Sequence, residues 1–149
     1  FRRSRGLGDV YKRQGLGLEL TQENKSNIRY EWVGGLSRLE AMTILSESHV
    51  LLITSQHEGA GRVVGEAIQL GVPIVSTNNL GVTGILGDDY EGYYPVGDAK
   101  ALSDILTKAE EDKEFLAQLN IHCQNRSSLF DIEEEKKNWE KLINDFSII

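Results

Sequence analysis

Past residue 15 the chain alternates short apolar runs with longer stretches in which apolar positions recur every three or four residues. Ile28-Arg29-Tyr30-Glu31-Trp32-Val33 is rich in β-branched and aromatic residues, stops at Gly34-Gly35, and predicts a strand. Ser37-Arg38-Leu39-Glu40 then has the spacing of a capping box, with Ser37 as N-cap and Glu40 at the third helical position. It predicts a helix to about Ser48 with Ala41, Met42 and Leu45 on one face. Val50-Leu51-Leu52-Ile53 is wholly apolar, as expected of a buried central strand in a parallel sheet. A helix from about Gly61 to Leu70 is expected to stop at Gly71, ahead of Pro73, and residues 72–75 predict the next strand. The Asn and Gly residues at 78–81 and 84–87 read as loops. Tyr93-Tyr94 predicts a short last strand. Asp98 predicts the cap of a helix carrying Ala101, Leu102, Ile105 and Leu106, and Asp112 the start of one carrying Phe115, Leu116 and Leu119. Asp131, with Glu134 three residues on, opens a last helix with Trp139, Leu142 and Ile143.

Strands alternating with helices imply right-handed crossovers, and hence an α/β fold: a Rossmann-like parallel sheet with helices on both faces, ending in C-terminal helices. No internal repeat or low-complexity linker divides it, so residues 15–130 are expected to form one domain and 131–149 a C-terminal helix. In such sheets ligands bind beyond the carboxyl ends of the strands. Residues 54–61 follow one expected strand and 78–84 the next, which directs attention to those two segments.

Composition narrows the picture. Of 149 residues, 40% are hydrophobic and 26% charged, which is globular rather than disordered. Asp9-Val10-Tyr11-Lys12-Arg13-Gln14 reads as the translation of a transposon-end adaptor, and residues 1–14 are expected to be a sequencing scar rather than native chain. A basic nucleic-acid arm is the other reading of that segment. The net charge of -7 argues against a nucleic-acid binder, and setting aside the five cations of residues 1–14 leaves the remainder more acidic. No apolar run approaches the roughly 20 residues of a membrane-spanning helix. Cys123 is the single cysteine, expected as a buried inert thiol, and a reducing cytoplasmic setting fits it.

The candidate chemistry lies in the first of the two segments. Glu58 falls in the loop at the mouth of a helix, and Glu66 lies about two turns along that helix. Between them, backbone N–H groups at the helix N-terminus attract anions. One carboxylate can meet a ligand at the loop while the other meets the same ligand further along. That suits a molecule with a diphosphate in the middle and hydroxyls at both ends, which is the shape of a nucleotide sugar.

His57-Glu58-Gly59-Ala60-Gly61-Arg62-Val63-Val64-Gly65-Glu66-Ala67, then Gly71-Val72-Pro73-Ile74-Val75-Ser76, then Leu80-Gly81, resembles the donor-binding C-terminal half of a GT-B glycosyltransferase of the retaining, GT4-like type. The resemblance covers roughly residues 28–119. It implies that Glu58 is the catalytic-site carboxylate facing the transferred sugar, without being assigned as a nucleophile, since front-face transfer is commonly proposed for such enzymes. It implies that Glu66 binds the ribose hydroxyls. Backbone amides around Gly59, Ala60, Gly61 and Arg62 would meet sugar and diphosphate, and Val63 and Val64 would present N–H groups to phosphate. The implied donor is a UDP-sugar. No cofactor and no metal are expected, because helix-dipole and cationic groups can serve the diphosphate and no Asp-x-Asp pattern is present. The implied partner is an N-terminal acceptor domain that this stretch does not include, and the chain by itself is expected to be inactive. Residues 81–98 resemble more narrowly the selenosugar synthases of selenoneine biosynthesis, which implies UDP-N-acetylhexosamine and selenophosphate as substrates. The loop departs from that pattern, being Gly59-Ala60-Gly61-Arg62 where Gly-Gly-Ala-Asn is typical, so a generic transferase with another acceptor stays open.

Other readings of the same residues compete. A pair of carboxylates is also the glycosidase arrangement, but there both groups flank one bond. A non-catalytic nucleotide-sugar-binding module would keep Glu66 and could dispense with Glu58. An epimerase would want further acidic and histidine groups than Glu58 and His57, and a phosphorylase a cofactor lysine that is not evident. His57 is expected as a structural neighbour, Asp88 and Asp89 as turn residues, and Asn78 and Asn79 as the shapers of a turn after a strand. Tyr90, Tyr93 and Tyr94 are expected to pack, the acidic run from Asp131 to Glu135 to cap and solvate a helix, and His49 and His122 to hold no metal.

Overall fold

The computed structural model describes residues 33–59 and 61–146. The segment 1–14, Ala60 and the strand expected at 28–33, except for Val33, lie outside the described residues.

Ser37 caps the first described helix, α1 (Arg38–Ser46), through the reciprocal box that its spacing predicts. The Ser37 N–H donates to Glu40 Oε2 at 2.8 Å, and the Glu40 N–H donates to Ser37 Oγ at 3.4 Å. The helix stops at Ser46, two residues earlier than expected, with Glu47 as C-cap. Strand β1 (Leu51–Ile53) follows, then α2 (Arg62–Gln69) and β2 (Ile74–Thr77).

The second strand begins at Ile74 rather than at Val72, and the reason is local. Helix α2 ends in a Schellman motif: Gly71, with φ +71°, donates to the Ile68 carbonyl, and Val72 donates to that of Ala67. Val72 is therefore still bonded to the helix it follows. Pro73 has no N–H to give a ladder, although its carbonyl accepts from Leu51.

Strands β1, β2 and β3 (Tyr93–Tyr94) form a parallel sheet in that order, with Leu51 opposite Ile74 and Ser76 opposite Tyr93. Among the described strands β2 has a partner on each side, and Leu51 and Ile53 of β1 are buried as its apolar run predicts. All four residues of β2 are buried, and since successive side chains point to opposite faces, both faces of the sheet are covered. This is the Rossmann-like α/β arrangement expected from the alternation of elements. Val64, Ala67 and Ile68 of α2 pack into the same core as Ile74 and Val75.

Residues 80–81 and 84–86, expected as loop, belong to helix α3 (Leu80–Leu86). Two glycines in seven residues hide it from the pattern. Its N-cap is Asn79, whose Oδ1 accepts from the Val82 N–H, and Val82 and Leu86 are fully buried. Asn79 thus shapes the turn after β2 as expected.

Asp98 and Asp112 cap α4 (Ala99–Glu111) and α5 (Lys113–Asn125) as predicted, burying Ala109, Phe115, Leu119 and Cys123. The Tyr90 hydroxyl donates to the Ile74 carbonyl and lies 3.5 Å from the Cys123 sulfur. Burial pushes both groups' pKa up, which keeps the Cys123 thiol protonated and unreactive. Tyr93 donates to the Gly87 carbonyl and Tyr94 to that of Ile53, so all three tyrosines pack. His122 is held by the Leu86 carbonyl at 2.7 Å.

A 3-10 turn (Ser127–Phe130) then lays the Phe130 ring over Gly65 of α2, where a Cβ would lie 2.5 Å from the ring. Gln69 reinforces the contact by donating to the Phe130 carbonyl at 3.1 Å. The last helix, α6 (Ile132–Phe146), starts at the Asp131 cap as expected. Its apolar residues Ile132, Trp139, Leu142, Ile143 and Phe146 are exposed.

Candidate functional site

The parallel pairing of β1 and β2 brings their carboxyl ends side by side, and hydrogen bonds lock them there. The Thr77 hydroxyl, 1% exposed, donates to the Ser55 carbonyl just past β1. It also accepts from Asn79 Nδ2 at 3.0 Å. One buried hydroxyl therefore ties the loop after β1 to the turn after β2, and Asn79 completes the chain by capping α3. Neither partner is left unsatisfied, and a fully satisfied polar network of this kind holds its members in one arrangement. Thr77 carries no signal in the sequence that would single it out, because its role is fixed by a contact 22 positions away.

The second tie is steric. Gly81, in the first turn of α3, lies against the backbone of the loop that carries Glu58. A Cβ at Gly81 would stand 2.2 Å from the Glu58 carbonyl oxygen and 2.4 Å from that of Gly59. Only a residue without a side chain permits this approach. The segments expected from sequence to face one crevice are thus in contact through Glu58, Gly59 and Gly81.

At the start of α2, Gly61 is the N-cap in the left-handed region, with φ 32° and ψ 54°. A Cβ there would meet Val64 Cγ2 at 2.9 Å, so both conformation and space call for glycine. The helix presents an exposed Arg62 at its first position, a half-buried Val63, and a fully buried Val64. The N–H of Val64 donates to the Gly61 carbonyl at 2.7 Å. This narrows the N–H groups available to an anion toward those ahead of Val64.

Glu58 is half-buried in its loop, and His57 and Gly59 beside it are exposed. Glu66 lies one helical turn beyond Arg62, on the same face of α2. Its side chain is 16% exposed, and Arg38 Nη2 of α1 stands 3.8 Å from its Oε1. Arg38 is a member of the site that sequence reasoning did not single out. Its position at the start of a capped helix was legible, but its approach to a residue 28 positions away was not. Ala60 lies outside the described residues. Asp88 and Asp89 sit in an exposed turn after α3, and the charge of Asp88, second to burial, holds the Tyr93 hydroxyl above its usual range.

Chemically, the arrangement offers a carboxylate at a strand end, a helix N-terminus with an arginine, and a second, largely covered carboxylate one turn along that helix, where the sequence spacing from Glu58 suggested two. That is a row of groups suited to an elongated ligand with anionic and hydroxyl portions.

A family model described as glycosyl transferases group 1 matches residues 18–126. No curated protein matches the chain. Among solved structures the chain is similar to Anabaena HepE in complex with UDP-glucose, at 22% identity and TM-score 0.74 over 90% of this chain and 38% of that one. HepE in complex with UDP gives 21% identity and TM-score 0.70, over 87% and 36% of the two chains. Sucrose-phosphate synthase from Thermosynechococcus elongatus gives 22% identity and TM-score 0.73, over 88% and 33%. These likenesses show the fold, and the chain spans about a third to two fifths of the length of those proteins.

Proposed function

The chain belongs to the group 1 glycosyl transferases, and we propose that within this family it is the donor-binding half of a retaining, GT4-like enzyme that takes a UDP-linked sugar. The observation that carries the reading is the lock between the strand ends. Gly81 and Thr77 hold the loop of Glu58 beside the N-terminus of α2, with Glu66 further along the same helix. In this reading Glu58 faces the sugar, and Gly59, Ala60 and Gly61 lie along the sugar and diphosphate. Arg62, with the N–H groups of the first turn of α2, meets the diphosphate, and Glu66 accepts the ribose hydroxyls. Arg62 supports it, because a cation at a helix start opposes the helix dipole and gains from a bound anion. The UDP and UDP-glucose bound by HepE are consistent with the same donor class.

Within that class we propose an N-acetylhexosamine as the sugar and selenophosphate as the acceptor, on the resemblance of residues 81–98 to selenosugar synthases. The remainder of such an enzyme would supply the acceptor site, and turnover is a property of the longer protein. The diphosphate is assigned to helix N–H groups and Arg62 without a metal, so UDP affinity is expected to survive EDTA.

The test is calorimetric titration with UDP, UDP-N-acetylglucosamine and ADP. Binding of both UDP ligands, with ADP weaker, is the expected result. Glu66→Ala should weaken UDP by about 1.5–3 kcal/mol, the worth of a hydrogen bond to a charged group. Unchanged affinity in that variant would remove Glu66 from the site. Selenosugar formation by the longer gene product, from UDP-N-acetylhexosamine and selenophosphate, tests the acceptor.

A further inference from the structure

The ion pair between Arg38 and Glu66 joins two helices at the site, and it rests on features that fix one partner and leave the other open. The Ser37–Glu40 capping box pins the backbone immediately before Arg38, so the arginine projects from a defined point. As the first residue of α1 it sits where the helix dipole disfavours a cation, and Arg62 does the same on α2. Both lie next to Glu66: Arg62 one turn before it on its own helix, and Arg38 at 3.8 Å from across the interface. Glu66 is 16% exposed while Arg38 is 68% exposed. The separation exceeds a hydrogen bond, so Arg38 attracts the carboxylate without occupying its lone pairs. Among the described residues no hydrogen bond to that carboxylate is present.

A mostly covered carboxylate that is oriented by a cation and free to accept is suited to two adjacent hydroxyls, each donating to one oxygen. We propose that Arg38 is a positioning residue for the nucleoside part of the donor. It holds the Glu66 carboxylate toward the vicinal hydroxyls of a ribose while leaving both oxygens free to accept from them. This rests on the assignment of Glu66 to the ribose made above. Arg38 acts through Glu66, and its removal is felt by the 2′-hydroxyl rather than by the diphosphate.

The experiment compares the affinities of UDP and 2′-deoxyuridine diphosphate by calorimetry for the wild type, Arg38→Ala, Arg38→Lys, Glu66→Ala and the Arg38→Ala/Glu66→Ala double variant. The wild type should prefer UDP. Arg38→Ala should reduce that preference by roughly 3- to 5-fold, the scale of a partly exposed ion pair. Arg38→Lys, which keeps the charge, should restore most of it, and Arg38→Ala should have no further effect on the ratio in the Glu66→Ala background. Capping-box residues are untouched in every variant, and thermal melts check that each is folded. If the wild type prefers UDP and Arg38→Ala weakens both ligands equally, or neither, the positioning role is wrong. If the wild type binds both ligands alike, the ribose assignment of Glu66 falls and takes this inference with it. If it binds neither, the nucleotide-sugar reading itself falls.

Discussion

Helix α3 contains two glycines, and exchanging each for alanine should move stability in opposite directions. Gly84 has no neighbouring atom within 4 Å of a built Cβ, and its φ is not positive. Gly84→Ala should therefore show only the intrinsic gain of alanine in a helix, about 0.5–1 kcal/mol. Gly81→Ala adds the same methyl group against the carbonyl oxygen of Glu58 at 2.2 Å, where ordinary contact begins at 3.4 Å. The difference, 3.4 less 2.2, means that loop and helix must part by about 1.2 Å. Both neighbours are backbone, so no side-chain rotation relieves the clash. Overpacking of this kind costs about 1–3 kcal/mol, and Gly81→Ala should fall below Gly84→Ala by that amount. Urea denaturation of the two variants and the wild type reads the difference directly, free of any assumption about ligands. UDP titration of the same samples reads the second consequence. A loop displaced by about 1 Å no longer holds its groups at the spacing a bound ligand requires, so Gly81→Ala should bind a UDP-sugar more weakly while Gly84→Ala binds as the wild type does. A Gly81→Ala protein as stable as Gly84→Ala would refute the steric lock between α3 and the Glu58 loop. If it were also equal in affinity, it would refute the idea that this lock shapes the site.

Three further variants, at Asn79 and Ser37, probe the ends of helices that border the site. Asn79→Ala removes both the cap of α3 and the bond to the Thr77 hydroxyl and should cost about 1–2 kcal/mol, whereas Asn79→Asp keeps the cap and loses only the donor to Thr77. Urea midpoints should rank wild type, Asp, then Ala, and equal midpoints for Asp and Ala would show that the cap contributes nothing. Ser37 lowers the pKa of Glu40 by hydrogen bonds from its hydroxyl and backbone N–H. A lowered carboxyl pKa adds stability that is fully present above the ordinary carboxylate range and is lost as pH falls through the depressed value. The stability gap between wild type and Ser37→Ala should therefore narrow between about pH 7 and about pH 3, and a gap that widens on acidification would contradict the capping-box geometry.

Most of the element order was legible because its signals are local. Capping residues act within three positions, which is why Ser37, Asp98, Asp112 and Asp131 mark helix starts correctly. Gly71 likewise marks the end of α2, because the left-handed turn it adopts closes a motif within six residues. The errors arise where a distant contact overrides local preference. The two glycines of α3 read as loop, yet burial of Val82 and Leu86 and the close approach at Gly81 hold the segment helical. Strand β2 carried no comparable apolar signal, since half of it is Ser76 and Thr77, yet all four of its residues are buried. Those hydroxyls tolerate burial because each donates to a backbone carbonyl.

By itself the sequence determined the alternation of strands and helices, their caps, and a glutamate pair astride a glycine loop at a helix start. Each depends on residues within a few positions of one another, where spacing and backbone preference suffice. Tertiary structure alone decided that the loop of Glu58 rests on Gly81, that Thr77 ties two strand ends together, and that Arg38 faces Glu66. Those contacts join residues some 22 to 28 positions apart, and they exist only because parallel strands and packed helices bring distant segments within a few ångströms.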